Sequence, residues 1–256
     1  MMPGRLTILG SGSGLPQAGR ATSGYALEVD GRLTLIDCGG GVTQSFLRCG
    51  LEPLDVDTIV ISHTHSDHCC ELTLFLQLVY LHKRRRPLEL YLPEEFVDPF
   101  NRYLRAVYLA PQKFGFDLAV TGYTDGFRYE SDFTLTAHGN RHLQKVQAFI
   151  EELGLPNKMQ CHSLLVQTPG KTLLYSSDLG GFDDIKGLLP EADIALVEST
   201  HTDVEELLHF AEDNEDKQLI LTHIGPPPES TELQTAVEKR ALDNVEMAED
   251  GMVIEW

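Results

Sequence analysis

Apolar and polar positions alternate along the chain in segments that predict both strands and helices. Short apolar runs bounded by glycine, proline or aspartate predict strands, whereas apolar positions three and four residues apart predict helices. On this basis we expect strands at residues 6–9, 25–29, 33–36, 58–61, 88–92, 116–121, 127–129, 133–137, 163–167, 172–175, 194–197 and 218–221. We expect helices at residues 42–49, 72–81, 94–109, 144–153, 204–212 and 231–239.

The order of these segments predicts a layered α/β fold. Strands open the chain, and strands then alternate with helices in both halves, which suits two sheets with helices packed outside them. Residues 245–247 and 252–256, on either side of Glu249-Asp250-Gly251, predict a closing hairpin. With 256 residues and no long linker, one domain over residues 1–256 is sufficient to build a large core.

The most informative polar stretch follows the apolar run at residues 58–61. It places His63, His65, Asp67 and His68 within six residues. Imidazole and carboxylate groups suit zinc, iron or manganese, and open catalytic metal sites use such ligands. Residues two apart in an extended segment point the same way, so the first two histidines could bind one ion. The last two follow where the chain turns into a helix, and could face a second ion.

Three further polar residues follow predicted strands in the same way. His142, Asp178 and His223 each come shortly after an apolar run. Ends of strands are where open α/β sheets place their ligand sites. We therefore expect these loops to meet at one edge of the sheets. His138 competes with His142 for the first of these positions.

The spacing His63-x-His65-x-Asp67-His68 resembles the signature of the metallo-β-lactamase superfamily. The segments 9–16, 20–25 and 35–39 resemble the ribonuclease Z and cyclic-phosphodiesterase branch of that superfamily. The resemblance implies a four-layer αββα sandwich with two divalent metal ions at the sheet edge, zinc first, with manganese or iron as alternatives. The ligands it implies are His63, His65 and His142 for one ion, Asp67, His68 and His223 for the other, and Asp178 between them.

The same resemblance implies the position of a further aspartate and favours His142 over His138. Asp37 matches an aspartate that orients a ligand from behind, although it could instead cap the helix that follows. A long glycine- and proline-rich insert that could clamp tRNA, as in ribonuclease Z, is missing from the sequence. The resemblance therefore favours phosphodiester chemistry more than it favours tRNA as the substrate. It also implies a possible homodimer.

The implied reaction is hydrolysis of a phosphodiester, in a small nucleotide or an RNA end, by a hydroxide generated between the two ions. Asp67 and His201 are the predicted catalytic residues, with His201 as general acid or, alternatively, as a cap of the next helix. Arg20 is predicted to bind the substrate phosphate, or to form a structural salt bridge. An alternative function is hydrolysis of a lactone, thioester or β-lactam, because carbonyl substrates use the same activated water.

Composition limits the partners. The formal net charge of −19 disfavours non-specific binding of nucleic acid. One basic cluster, at residues 83–86, could dock phosphate or could simply be a solvated helix end. Five irregularly spaced cysteines argue against a disulfide framework. The sequence lacks the pattern of a signal peptide or a membrane span, so we expect a cytoplasmic protein without membrane contact.

Overall fold

The computed structural model describes residues 4–256, which form fourteen strands and seven α-helices. The strands, β1 to β14 in chain order, are Arg5–Gly10, Gly24–Val29, Arg32–Ile36, Val56–Val60, Leu88–Pro93, Leu118–Tyr123, Arg128–Glu130, Thr134–Gly139, His162–Gln167, Thr172–Tyr175, Ile194–Glu198, Gln218–Thr222, Val245–Met247 and Val253–Glu255. The helices, α1 to α7, are Val42–Arg48, Ser66–Cys69, Leu72–Leu81, Val97–Ala106, Gln147–Glu152, Val204–Asp213 and Glu229–Arg240.

The strands form two seven-stranded sheets. The first has the order β14-β1-β2-β3-β4-β5-β6, and the second has the order β13-β12-β11-β10-β9-β8-β7. Strands β3 and β4 are parallel, with Ile36 opposite Val60. Strands β10, β11 and β12 are also parallel neighbours in the second sheet. Parallel neighbours end at the same edge of a sheet, so the loops that follow these strands leave the sandwich together.

Three apolar layers hold the sheets and helices together. The central layer lies between the two sheets and contains side chains from both, such as Ile8 and Leu196. A second layer packs the outer face of the first sheet against α1, α3 and α4. A third packs the outer face of the second sheet against α6 and α7. The predicted four-layer αββα sandwich is therefore confirmed. Because each fully buried aliphatic side chain contributes roughly 2 kcal/mol, these layers dominate the stability of the fold.

Most predicted elements lie within a few residues of the observed ones, with three differences. The helix expected at residues 94–109 is α-helical only over α4, after a 3₁₀ turn at Glu94–Phe96. The helix expected at residues 144–153 divides into a 3₁₀ segment, His142–Val146, and the short α5. Residues 245–256 do not form the expected hairpin, because β13 pairs with β12 in one sheet and β14 with β1 in the other.

Hydrogen bonds in the turn between β13 and β14 hold the closing segment where it crosses from one sheet to the other. Asp250, in its turn, accepts hydrogen bonds from the Ser11 backbone N–H and hydroxyl and from the Ala21 N–H. The carboxylate thereby ties this turn to the loop after β1. The sequence pattern of two apolar runs around a glycine turn could not distinguish a hairpin from such a crossing.

Two of the four basic residues at positions 83–86, Arg84 and Arg86, bond within the fold. Arg84 is 2% exposed and donates to the carbonyl oxygens of Leu54, Arg86 and Pro87. Arg86 forms ion pairs with Asp55, just before β4, and with Asp57 within β4. These contacts favour the structural interpretation of the cluster over phosphate docking. All five cysteines are free, and no helix within residues 4–256 is long and apolar enough to cross a bilayer.

Candidate metal centre

The loops that follow β4, β8, β10 and β12 converge at one edge of the two sheets. They bring together every side chain that the sequence predicted as a metal ligand. Two groups of four residues result, and within each group the possible ligand atoms lie within 4.8 Å of one another. The groups are His63, His65, His142 and Asp178, and Asp67, His68, Asp178 and His223.

Asp178 belongs to both groups, and its two carboxylate oxygens face different partners. The Oδ2 atom lies 3.4 Å from His142 Nε2 and 3.8 Å from His63 Nε2. The Oδ1 atom lies 3.1 Å from His68 Nε2 and 3.4 Å from His223 Nε2. One carboxylate thus contributes one oxygen to each group, which is the arrangement that a ligand shared between two cations requires.

The remaining donors complete each group from the side of the solvent. His65 Nδ1 lies 3.2 Å from His142 Nε2 in the first group. Asp67 Oδ2 lies 3.2 Å from His223 Nε2 and 3.5 Å from His68 Nε2 in the second. His138 belongs to neither group among residues 4–256, although it was the alternative to His142. The geometry therefore favours His142, whose role as a ligand remains a prediction.

Unpartnered buried atoms test whether this site suits a metal. His63 Nε2, His68 Nε2 and Asp178 Oδ1 are buried without a hydrogen bond of good geometry, although the last two atoms lie 3.1 Å apart. An unpaired buried polar atom costs roughly 1–3 kcal/mol, and three such atoms within one cluster need a common partner. A cation satisfies the lone pairs of imidazole and carboxylate at once. With only nitrogen and oxygen donors, the residues fit zinc, manganese or iron.

The pKa values of the histidines agree with this interpretation. Burial holds the pKa of His63 well below its usual range, and it lowers the pKa of His65 as well. Burial also lowers the pKa of His142 to about 4. These imidazoles are therefore neutral near pH 7, and a neutral imidazole has the lone pair that a metal ligand needs.

His68 and Asp178 are held in the charged state by each other. Burial alone lowers the pKa of His68, but Asp178 and Asp37 outweigh it and leave the pKa well above its usual range. Burial alone raises the pKa of Asp178, but the imidazoles, His68 first, leave it well below the usual range. Asp178 is therefore a carboxylate near pH 7.

Hydrogen bonds at Nδ1 aim most of the histidines into the site. His68 Nδ1 donates to Asp37 Oδ2 at 2.7 Å, and His142 Nδ1 donates to the Leu179 carbonyl at 3.2 Å. His63 Nδ1 lies within 3.3 Å of two serine hydroxyls, and His223 Nδ1 lies 3.3 Å from the Thr200 hydroxyl. Each ring thereby turns Nε2 towards the centre. Such contacts fix the tautomer and orientation of a ligand.

Asp37 organises the largest of these networks. The side chain is fully buried and accepts hydrogen bonds from the Ser62 N–H and hydroxyl, from His68 Nδ1 and from the Tyr175 hydroxyl. It does not cap α1, because the carboxylate of Glu71 accepts the N–H groups at the start of that helix. The predicted orienting role therefore has the better structural support.

Strained backbone marks three strand ends at the site. Asp37, Ser177 and His223 have φ values of 57°, 54° and 55°. This left-handed conformation costs a non-glycine residue roughly 1–2 kcal/mol. Each of these residues follows the end of a strand and turns its side chain into the networks described above. The strain is thus compensated by hydrogen bonds at the site, as is common for functional positions.

Glycine is required where the loop after β3 approaches the ligand segment. A Cβ atom at Gly39 would lie 1.9 Å from the Asp67 carbonyl oxygen. The Gly39 N–H is bonded to the Ser23 carbonyl at 3.0 Å, so the backbone has little room to move. The glycine-rich stretch after β3 therefore allows the Asp67 segment to pack closely against the first sheet.

Two residues that the sequence analysis did not identify join the loops of His142 and Asp178. The Asn140 side chain donates to the Asp178 carbonyl at 2.9 Å and accepts the His142 N–H at 3.1 Å. Asp184 accepts the N–H groups of Arg141 and Gly180, and it pairs with the Arg141 guanidinium. The only sequence signal was the proximity of Asn140 to His142, which does not indicate a partner 38 residues away.

Replacing Asn140 with alanine is expected to loosen Asp178 relative to His142. Because such supporting contacts change metal affinity by roughly 10- to 100-fold, the dissociation constant for zinc should rise by that factor. Competition with a chromophoric chelator measures the change. Asn140→Asp keeps an acceptor for the His142 N–H but loses the donor to the Asp178 carbonyl. Its zinc affinity should therefore lie between those of the unsubstituted protein and Asn140→Ala, or equal that of Asn140→Ala. Unchanged zinc affinity in Asn140→Ala would contradict the role.

His201 lies beside the two groups. Its Nδ1 is 3.3 Å from Glu198 Oε1 and 3.9 Å from Asp178 Oδ2, and the close contact with the Glu198 carboxylate raises the pKa of His201. Glu198 is buried and also accepts the His201 N–H at 2.8 Å. Asp203, not His201, caps the helix α6. The predicted alternative for His201, a helix cap, is therefore wrong.

Arg20 has a different environment from the two ligand groups. Its Nη1 donates to the Ser11 hydroxyl at 2.6 Å and to the Ala248 carbonyl at 2.7 Å. It lines a cavity of about 660 Å³ that also contacts Asp67. The ligand groups open into a second cavity of about 290 Å³, which His201 lines and Arg20 does not. The structural contacts of Arg20 are hydrogen bonds rather than the salt bridge that was the alternative.

Comparison with known proteins agrees with this fold and site. The family described as Anti-Pycsar protein Apyc1 matches residues 4–244. Ribonuclease Z from Methanosarcina mazei is 26% identical over an alignment of 307 positions, which covers 98% of this chain and 97% of that protein.

Two solved structures are similar over their full length. The metallo-β-lactamase fold protein YhfI from Bacillus subtilis has a TM-score of 0.76 at 22% identity, covering 100% of both chains. The short form of human tRNase Z has a TM-score of 0.73 at 22% identity, covering 98% of both chains. Because the family match spans most of the sequence, the chain belongs to the Anti-Pycsar protein Apyc1 family, in the ribonuclease Z-like part of the metallo-β-lactamase superfamily.

Proposed function

We propose that this protein is a metal-dependent phosphodiesterase that acts on small nucleotides. The observation that carries the proposal is the shared carboxylate of Asp178, with one oxygen towards each group of histidines. His63, His65 and His142 would hold one ion, and Asp67, His68 and His223 the other, with zinc as the proposed metal. When bound, two such ions lower the pKa of a water molecule and neutralise charge on the phosphate.

The names of the similar proteins favour a phosphodiester as the substrate. The matching relative from M. mazei is named ribonuclease Z, and one structural neighbour is a tRNase Z. Carbonyl substrates such as lactones, thioesters or β-lactams use the same donor set, but no observation at this site favours them. Hydrolysis of a carbonyl substrate is therefore one of the outcomes that the substrate panel below distinguishes.

Small nucleotides are favoured over structured RNA by the surroundings of the site. Only a short turn links β6 to β7, so residues 4–256 lack a long insert there that could clamp tRNA. Within the basic cluster at residues 83–86, Arg84 and Arg86 are engaged within the fold. The site cavity of about 290 Å³ and the net charge of −19 also suit a compact substrate better than a polyanion.

His201 is the proposed proton donor to the leaving alkoxide. It lines the site cavity, and Glu198 both holds its backbone N–H and raises its pKa. A raised pKa keeps more of the imidazole protonated near pH 7, which a general acid requires. Asp67, proposed as a catalytic residue, also lines this cavity.

The cytoplasmic location, the homodimer and the phosphate contact of Arg20 stay predictions.

A substrate panel tests the function. The zinc-loaded enzyme is expected to hydrolyse bis(p-nitrophenyl) phosphate and a cyclic nucleotide much faster than a lactone or nitrocefin. A precursor tRNA, included as a fifth substrate, should be cleaved slowly. His201→Ala should slow the cyclic nucleotide more than the nitrophenyl ester, because nitrophenolate leaves without a proton.

Each alternative has its own signature in this panel. Turnover of carbonyl substrates alone would overturn the proposal. Efficient cleavage of the precursor tRNA with inert small nucleotides would replace the substrate class but keep the chemistry. Parallel assays with manganese and iron decide the metal, because the donor set accepts all three.

A further inference from the structure

Lys145 is the only lysine or arginine among the described residues that line the site cavity. It follows His142 by three residues, within the 3₁₀ segment His142–Val146. The acidic residues that line the same cavity are Asp67, Asp178 and Glu229. Asp67 and Asp178 are already assigned to the ligand groups. Among the described residues that line the cavity, Lys145 is therefore the one lysine or arginine that the protein offers to an entering anion.

The backbone of Lys145 is well anchored, although its side chain is exposed. The Gln144 N–H bonds to the Arg141 carbonyl at 3.0 Å, and Asn140 holds the His142 N–H. Asp184 holds Arg141 from the loop of Asp178. These contacts fix the start of the segment relative to the ligand groups. The long lysine stem then leaves the ammonium free to follow a substrate group, as a mobile point charge does.

The ammonium of Lys145 is not used in an ion pair. Neighbouring basic residues are paired, Arg141 with Asp184 and Lys158 with Glu94. No such pair is found for Lys145 within residues 4–256. The ammonium of Lys145 can therefore meet an anion that enters the site cavity, which Lys145 lines.

We propose that Lys145 binds a non-bridging oxygen of the substrate phosphodiester and thereby selects anionic phosphate substrates at this site. This inference rests on the proposed function and specifies which side chain holds the phosphate. A phosphodiester carries one negative charge, which Lys145 matches. Glu229, which lines the same cavity, disfavours a second negative charge, so phosphodiesters should bind better than phosphomonoesters. A solvated lysine on a helix surface would have no effect on either.

The test compares Lys145→Met and Lys145→Arg with Lys186→Met in the zinc-loaded enzyme. Lys186 is exposed and follows Asp178 by eight residues, but it does not line the cavity, so it controls for the loss of one positive charge. We expect Lys145→Met to raise KM for bis(p-nitrophenyl) phosphate roughly 10- to 100-fold, the value of a charged hydrogen bond. The kcat value and zinc content should stay within about twofold of the unsubstituted enzyme. Lys145→Arg should restore most of the loss, and Lys186→Met should change nothing.

A binding measurement separates this inference from the proposed function. Titration calorimetry with inorganic phosphate needs no turnover, and Lys145→Met should weaken phosphate binding by a similar factor. If the enzyme hydrolyses only carbonyl substrates, the proposed function fails while the phosphate titration still tests Lys145. Equal phosphate affinity and equal KM in Lys145→Met and Lys186→Met would overturn the inference.

Discussion

Replacing Asp178 with asparagine is expected to abolish most metal binding and to lower kcat/KM for phosphodiesters about a thousandfold. The carboxylate contributes one oxygen to each ligand group, and an amide has a single oxygen and no charge. Loss of a shared ligand should cost roughly 4 kcal/mol of transition-state stabilisation, which corresponds to about three powers of ten in rate. Elemental analysis of the purified protein and steady-state kinetics measure the two effects.

The neighbouring Asp183 supplies a matched control for this substitution. Asp183→Asn removes the same charge five residues further along the same loop, from an exposed side chain outside both groups. It should leave metal content and kinetics unchanged. If Asp178→Asn retained full metal content and activity, the shared-ligand interpretation of the site would be wrong.

Replacing Asp37 with alanine is expected to destabilise the fold more than any other single change at this site. Its carboxylate is fully buried and accepts four hydrogen bonds from Ser62, His68 and Tyr175. Removing one partner of such a buried charged network costs roughly 3–5 kcal/mol. For a chain of this size the melting temperature should fall by about 10 °C. Thermal unfolding followed by circular dichroism measures the shift.

Tyr175→Phe tests the hydrogen-bond network around Asp37 without removing the charge of the Asp37 carboxylate. It removes one hydroxyl donor to Asp37 and keeps the ring, which packs against Tyr25 at 4.9 Å. The expected cost is about 1 kcal/mol, with little change in metal content. Asp37→Ala should also weaken zinc binding, because His68 loses the acceptor that orients it. A melting temperature equal to that of Tyr175→Phe would show that Asp37 is not the centre of the network.

The chemistry of the site was accessible from sequence because much of it is local. Four of the side chains that meet at the site lie in one six-residue segment after β4. Their division into two directions follows from the change from an extended segment to α2, which begins at Ser66. Likewise, the periodicity of apolar residues indicated the elements that surround the site. These inferences need only neighbours in sequence.

The partners of those side chains depend on contacts between distant residues. Asn140 reaches Asp178, Tyr175 of the second sheet reaches Asp37 of the first, and Lys145 lines the cavity beside His65. No local pattern encodes such pairs, because they arise when two sheets pack face to face. The resemblance already favoured His142 over His138, and the position of His142 beside His63 and His65 agrees with it.

The sequence by itself therefore determined the elements, the donor types and the loops that carry them. Only the tertiary structure decided that β13 and β14 belong to different sheets, and that the two oxygens of Asp178 face different histidines. Hydrophobic periodicity reports which face of an element is buried, but not which element covers it. The packing of the two sheets supplies that information, and with it the position of every group at the site.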